Sequence, residues 1–255
     1  MRALIGAGAM MALVTLALSG SPSSGQPADG GYRVFRPGGA GPHPAVALVS
    51  GCSGFSPAGS RHFYGRVADT LRGQGYVVVF VDYVGRRGLP NCSRPPAVSE
   101  GDAAKDLVAA VSWLRSDPSV DTARISALGW SYGGGAVLVA LAAYTEAQLG
   151  IARAAVYYPI CRAVRPWRVA TPVLMLLGGD DPIAPSEGCR AAAQGSARPD
   201  AVKIVTYHGA LHAFDVSEIP AESRGPAGYM GYNAQAAAAA WEQVERFLRA
   251  SGESR

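Results

Sequence analysis

A serine hydroxyl, an imidazole and a carboxylate are the side chains in this sequence whose types and spacing fit covalent chemistry. Ser131 stands in Gly129-Trp130-Ser131-Tyr132-Gly133, a Gly-x-Ser-x-Gly segment. Arg124–Trp130 reads as a strand before it and Tyr132–Ala147 as a helix after it. Glycines on both sides permit a sharp strand-to-helix turn that bulkier residues would block, so the hydroxyl stands exposed at a sheet edge. The helix start adds unpaired N–H groups and a positive dipole end beside that hydroxyl. The competing reading is a serine N-cap among packing glycines, in a chain with 32 glycines; the strand and helix on either side favour a nucleophile.

A serine hydroxyl is a weak nucleophile until a base takes its proton, and the base in turn is oriented by a carboxylate. After a strand-to-helix turn of this kind the acid and then the histidine follow in the chain. The chain has four histidines, His43, His62, His208 and His212, and only the last two lie downstream of Ser131. His208 ends a predicted strand. His212 falls in the loop Gly209-Ala210-Leu211-His212-Ala213-Phe214, and loops at strand ends carry catalytic groups while strand residues pack. His212 is therefore the expected base, with His208 a hydrogen-bonded bystander and His43 and His62 at the surface. The carboxylate is expected after the strand Val173–Gly178, in Gly178-Gly179-Asp180-Asp181-Pro182. Asp181 opens an Asp-Pro turn that fixes its direction. Asp180 is the alternative, and Asp215, which follows His212, the third choice.

Elements able to position these residues alternate along the chain. Pro44–Ser50 reads as a strand, Ser60–Gly73 as a helix with Phe63, Val67 and Leu71 at helical spacing, and Tyr76–Tyr83 as an apolar run typical of a strand buried on both faces. A turn-rich stretch over 85–96 precedes a helix at Ser99–Ser116. Later strands are predicted at Ala154–Tyr158, Val173–Gly178 and Val202–Tyr207, with helices between Pro185 and Gln194 and at Ala234–Ala250. Such alternation implies a mainly parallel central sheet with helices on both faces, an α/β fold.

The Ser131 segment, Gly178–Pro185 and the His212 loop together resemble the dienelactone hydrolase family of α/β-hydrolases, over nearly the whole chain after the leader. Val81-Asp82-Tyr83 with Arg87-Gly88, and Tyr157-Tyr158-Pro159, add to the likeness. The resemblance implies an α/β-hydrolase fold with little or no cap, and its Gly-x-x-Asp-x-x-x-Pro pattern selects Asp181. It also implies an oxyanion hole made of the Tyr132 N–H and the Cys52 N–H. The family's namesake enzymes carry cysteine where this chain has Ser131. The implied activity is hydrolysis of a carboxylic ester or lactone, a small-molecule substrate, without metal or organic cofactor. A serine peptidase of the same fold and a non-catalytic binding protein on a hydrolase scaffold stay open as alternatives. Arg86 and Arg87, in the loop after the second core strand, are candidates to receive a substrate carboxylate; a structural pairing with Asp82 is the equal alternative. Trp130 is a further candidate for substrate contact, although residues flanking a nucleophile more often pack. Loops at one sheet edge can meet, which suggests disulfides Cys52–Cys92 and Cys161–Cys189.

Composition agrees with a globular protein: 255 residues, 49% hydrophobic and 16% charged. The 23 basic residues exceed the 19 acidic ones by four, but they are scattered, which excludes a nucleic-acid footprint. The four cysteines lack metal-ligand spacing. Met1-Arg2, the uncharged stretch Ala3–Gly20 and the small, polar residues after it match a secretory leader, with Ala17 and Ser19 suited to a cleavage site. The expected organisation is a leader over 1–20, a linker over 21–31 and one domain over 32–255. Export to the periplasm or outside the cell would permit the disulfides and leave no membrane insertion after cleavage; an uncleaved membrane anchor is the alternative.

Overall fold

Runs of Val, Ala, Leu and Ile build the centre of the molecule, because a parallel strand covered by helices must be apolar on both faces. The computed structural model describes residues 27–28, 31–95, 97–161, 170–196, 198–225 and 228–250. The predicted leader and most of the predicted linker lie outside them. The main sheet contains β1 (Pro27–Ala28), β2 (Tyr32–Phe35), β3 (His43–Val49), β4 (Val77–Val81), β5 (Val120–Trp130), β6 (Arg153–Tyr157), β7 (Val173–Gly178) and β8 (Val202–Tyr207), in the spatial order β1-β2-β4-β3-β5-β6-β7-β8. From β4 to β8 every neighbouring pair is parallel, while β2 runs antiparallel to β4 and β1 antiparallel to β2.

Side chains alternate between two cores with the strand period of two. Ala45, Ala47 and Val49 of β3 and Val77, Val79 and Val81 of β4 face α2 (Glu100–Ser116) and α3 (Ser131–Ala143). Val46, Leu48, Val78 and Phe80 face α1 (Ala58–Gly73) and α6 (Ala234–Arg249). Two shorter helices, α4 (Glu146–Leu149) and α5 (Ser186–Gln194), pack residues against the first of these cores. Among the described residues no helix is long and apolar enough to cross a membrane.

Among the elements that depart from expectation, three do so for a clear local reason. The helix expected over Tyr132–Ala147 is two, because Thr145 accepts the Gln148 N–H while the Gln148 side chain accepts the Thr145 N–H, a reciprocal cap that starts α4. Strand β5 begins at Val120, four residues early, in a stretch whose residues are partly exposed and so carry no apolar run. A two-stranded hairpin, β9 (Ser223–Gly225) with β10 (Gly228–Met230), has too few residues to show a period and went unpredicted.

Candidate active site

Ser131 closes the turn from β5 into α3 with φ 50, a left-handed backbone that a side chain rarely adopts. The flanking glycines are what the turn has room for. A Cβ at Gly133 would lie 2.1 Å from the Ser50 carbonyl oxygen and 2.6 Å from that of Val49, and one at Gly129 would lie 2.9 Å from the Gly133 oxygen. Such contacts are with backbone and cannot be relieved by a rotamer change. Helix α3 is apolar nearly all round and buried, so the sharp turn rests on a rigid base.

His212 Nε2 lies 2.8 Å from Ser131 Oγ, and His212 Nδ1 lies 2.7 Å from Asp181 Oδ2. An ionised carboxylate only accepts, so Nδ1 carries the proton and Nε2 is left to accept from the serine hydroxyl. The other Asp181 oxygen accepts the Ile183 and Ala184 N–H groups, at 2.8 and 2.9 Å, which locks the Asp-Pro turn. Asp181 and His212 are both buried. Asp180 is exposed and turns its own N–H to the Ala210 carbonyl, and His208 is exposed as well. The His212 carbonyl accepts the Gly231 N–H at 3.0 Å, so the hairpin holds the histidine loop from outside.

The loop after β3 is held by two tyrosines. Tyr83 OH donates to the Gly51 and Ser50 carbonyls at 3.0 and 3.2 Å, and Tyr64 OH accepts the Gly51 N–H at 2.8 Å. A trans peptide places its N–H opposite its carbonyl, so fixing the Gly51 oxygen toward Tyr83 fixes the Cys52 N–H in the opposite sense. Cys52 is joined to Cys92 (S–S 2.04 Å), and the Cys92 N–H also donates to the Cys52 carbonyl. Cys161 is joined to Cys189. Tyr132, the second residue of α3, has an amide with no acceptor four residues back in its helix, and its hydroxyl is anchored on the Val98 carbonyl. Gly51, Cys52 and Ser131 line one cavity of about 320 Å³ with His212, Trp130 and Tyr158; Phe63, Ile183, Val216, Ile219 and Met230 supply apolar walls.

Behind this cavity lies a second carboxylate. Asp215 Oδ2 accepts the Trp130 indole N–H at 2.8 Å and Oδ1 accepts the Tyr158 hydroxyl at 2.5 Å. Burial pushes its carboxyl up to about 6, against the lowering effect of the two hydrogen bonds. Tyr158 itself has φ 34, and its ring centroid is 4.5 Å from that of His212.

The dienelactone hydrolase family profile matches residues 31–252. The chain belongs to the dienelactone hydrolase family. Two uncharacterized proteins from Mycobacterium tuberculosis, of strains CDC 1551 and H37Rv, are each 33% identical over 196 residues, covering 69% of this chain and 65% of theirs. The chain therefore spans less than two thirds of those relatives. A dienelactone hydrolase structure from Klebsiella pneumoniae superposes with TM-score 0.66 at 19% identity, over 86% of this chain and 92% of that one. Apo esterase 2 of Thermogutta terrifontis gives 0.65 at 18%, over 93% and 98%. At these identities the two structures speak for the α/β-hydrolase fold.

In this member of the dienelactone hydrolase family the two arginines of the β4 loop are turned to other work. Arg87 bonds the Tyr83 carbonyl at 2.7 Å and pairs with Asp106, and the Arg86 guanidinium lies 5.0 Å from the Tyr32 ring centre. Neither lines the Ser131 cavity, and Asp82 instead accepts the Gly85 N–H. Trp130 does line it, with its N–H committed to Asp215. Sequence reasoning missed Tyr64 and the hairpin. Tyr158 was visible as part of the Tyr157-Tyr158-Pro159 run, but without a role.

Proposed function

We propose that this chain hydrolyses carboxylic esters or lactones through an acyl-enzyme on Ser131. The observation that carries the reading is the unbroken hydrogen-bonded line from Ser131 through His212 to Asp181, opening on an apolar cavity. His212 Nε2 takes the hydroxyl proton as Oγ bonds to the substrate carbonyl carbon, and the carbonyl electron pair moves onto oxygen. The Tyr132 and Cys52 N–H groups hold that oxyanion; one such donor is worth about 3 kcal/mol in comparable sites. As the tetrahedral centre collapses, the C–O bond to the alcohol breaks and His212 gives its proton to the leaving oxygen. Water then attacks the acyl-serine with His212 again as base, releasing the acid and restoring Ser131. Asp181 keeps the imidazole oriented and offsets its positive charge in both halves of the reaction.

Family membership supports ester or lactone chemistry. Esterase 2 of Thermogutta terrifontis, which shares the fold, has been described with butyrate and with propionate bound, so a short acyl group is the natural first probe. Residues 1–20 act as an export leader, 21–31 as a linker and 32–255 as one catalytic domain in this reading; the two disulfides support an oxidising destination. Hydrolysis of 4-nitrophenyl butyrate by the purified chain and by Ser131→Ala tests the mechanism. Turnover is expected to fall at least about a thousandfold in the variant, and equal rates would exclude Ser131 as nucleophile.

A further inference from the structure

The mechanism above leaves the half-buried carboxylate of Asp215 unused. Asp215 stands three residues beyond His212, yet its two oxygens reach back to the ends of two neighbouring strands. One takes the indole N–H of Trp130, the last residue of β5 and the residue before Ser131. The other takes the hydroxyl of Tyr158, the first residue after β6, whose ring lies against His212. Trp130 also stacks on Tyr157 at 5.5 Å, so the indole N–H has a fixed direction. A single carboxylate thus joins the nucleophile strand, the adjoining strand end and the histidine loop. Its outer side opens on a cavity of about 230 Å³ lined by Phe63, Val67, Tyr157, Trp241 and Arg66.

The geometry points to Asp215 as a positioning residue that fixes Trp130 and Tyr158 against Ser131 and His212, and that sets a negative charge behind the imidazole without touching it. The inference rests on the catalytic reading of Ser131 and His212. Charge matters as well as shape, because His212 becomes an imidazolium in each transition state and a nearby anion stabilises it. The groups facing Asp215 are few. His212 comes from its own loop, Tyr157 and Tyr158 from the end of β6, and Tyr64 and Arg66 from α1. Arg66 is bound to Glu218 and Ser217, and burial keeps the three tyrosine hydroxyls protonated. Asp215, its carboxyl pushed up to about 6 by burial, is therefore the carboxylate of this cluster that changes charge near neutrality.

Asp215→Asn removes the charge and keeps the shape, since its amide oxygen can accept from Trp130 and its amide N–H can donate to the Tyr158 oxygen. Steady-state kinetics on 4-nitrophenyl butyrate from pH 5 to pH 8 read the effect. At pH 8, where Asp215 is ionised, kcat of the variant is expected to be about tenfold below wild type with KM within about twofold. As the pH falls through about 6 the wild-type carboxylate takes up its proton, so the ratio of the two kcat values shrinks toward one. Tyr158→Phe removes one hydrogen bond to the carboxylate, and the fall of kcat on acidification is expected to begin at higher pH. A ratio that is constant across this range, or an acid limb unmoved in Tyr158→Phe, overturns the inference while leaving the Ser131 mechanism standing. Full turnover by Ser131→Ala would instead remove the reading on which it rests.

Discussion

Burying a carboxylate against neutral donors raises the pH at which it ionises, and Asp215 carries that cost into the stability of the fold. Its carboxyl moves from an ordinary value of 3.8 to about 6 in the folded chain, burial being the main cause. Between those two values the folded state holds a proton that the unfolded state has lost, so stability falls as pH rises from about 4 to about 6 and is level above. Asp215→Asn has no charge to bury. Relative to wild type it is expected to gain up to about 3 kcal/mol between pH 4 and pH 8, less to the extent that water enters the adjoining cavity. Urea unfolding of both proteins at the two pH values measures it, and a difference independent of pH would contradict the assignment. Residues of this kind were poorly legible in the sequence. Ser131, Asp181 and His212 stand in short segments with local turn chemistry, so type and order picked out the three side chains that the structure brings within hydrogen-bond distance. Asp215 and Tyr158 owe their roles to a contact between residues 57 apart, and Tyr64 to a contact from helix α1 to the Gly51 loop, and no local pattern announces them.

At the scale of elements, the strand-to-helix turn at Ser131 depends on backbone meeting backbone. Gly133 sits where a Cβ would strike the carbonyls of Ser50 and Val49. Gly133→Ala should therefore push α3 away from the loop after β3, costing about 2 kcal/mol or more in unfolding free energy and lowering kcat as Ser131 and Cys52 separate. Gly65, in the middle of α1, has nothing within 4 Å of its added Cβ. Gly65→Ala should raise stability by about 0.5–1 kcal/mol and leave turnover unchanged. Equal effects of the two substitutions in chemical denaturation would refute the packing argument. The elements that the sequence revealed best were β7 and β8, found at their expected bounds, and the helices α2 and α5, found within a residue of theirs. The parallel core strands make continuous apolar runs, and the helices have visible starts such as Ser99, whose hydroxyl accepts the Asp102 N–H. Strand β2 and the β9–β10 hairpin were not legible, since short strands alternating between exposed and covered positions look like ordinary loop.

The whole molecule ties its site together from the sheet outward. Parallel strands β3, β5, β7 and β8 end along one edge, and the loops that follow them carry Cys52, Ser131, Asp181 and His212. Chemistry at such an edge follows from the topology, because every crossover helix returns the chain to the opposite end. The disulfides brace the same region: Cys52–Cys92 links the loop after β3 to the loop after β4, and Cys161–Cys189 links the segment after β6 to α5. Membership of the dienelactone hydrolase family and this arrangement together lead to the proposed acyl-enzyme on Ser131. Its most direct test is covalent. The chain is incubated with a fluorophosphonate, which reacts with a serine only where a base activates it, and the intact mass and the labelled peptide are determined. One adduct on Ser131, abolished in His212→Ala, is the predicted result; an unlabelled protein, or an adduct on a different residue, would contradict the account.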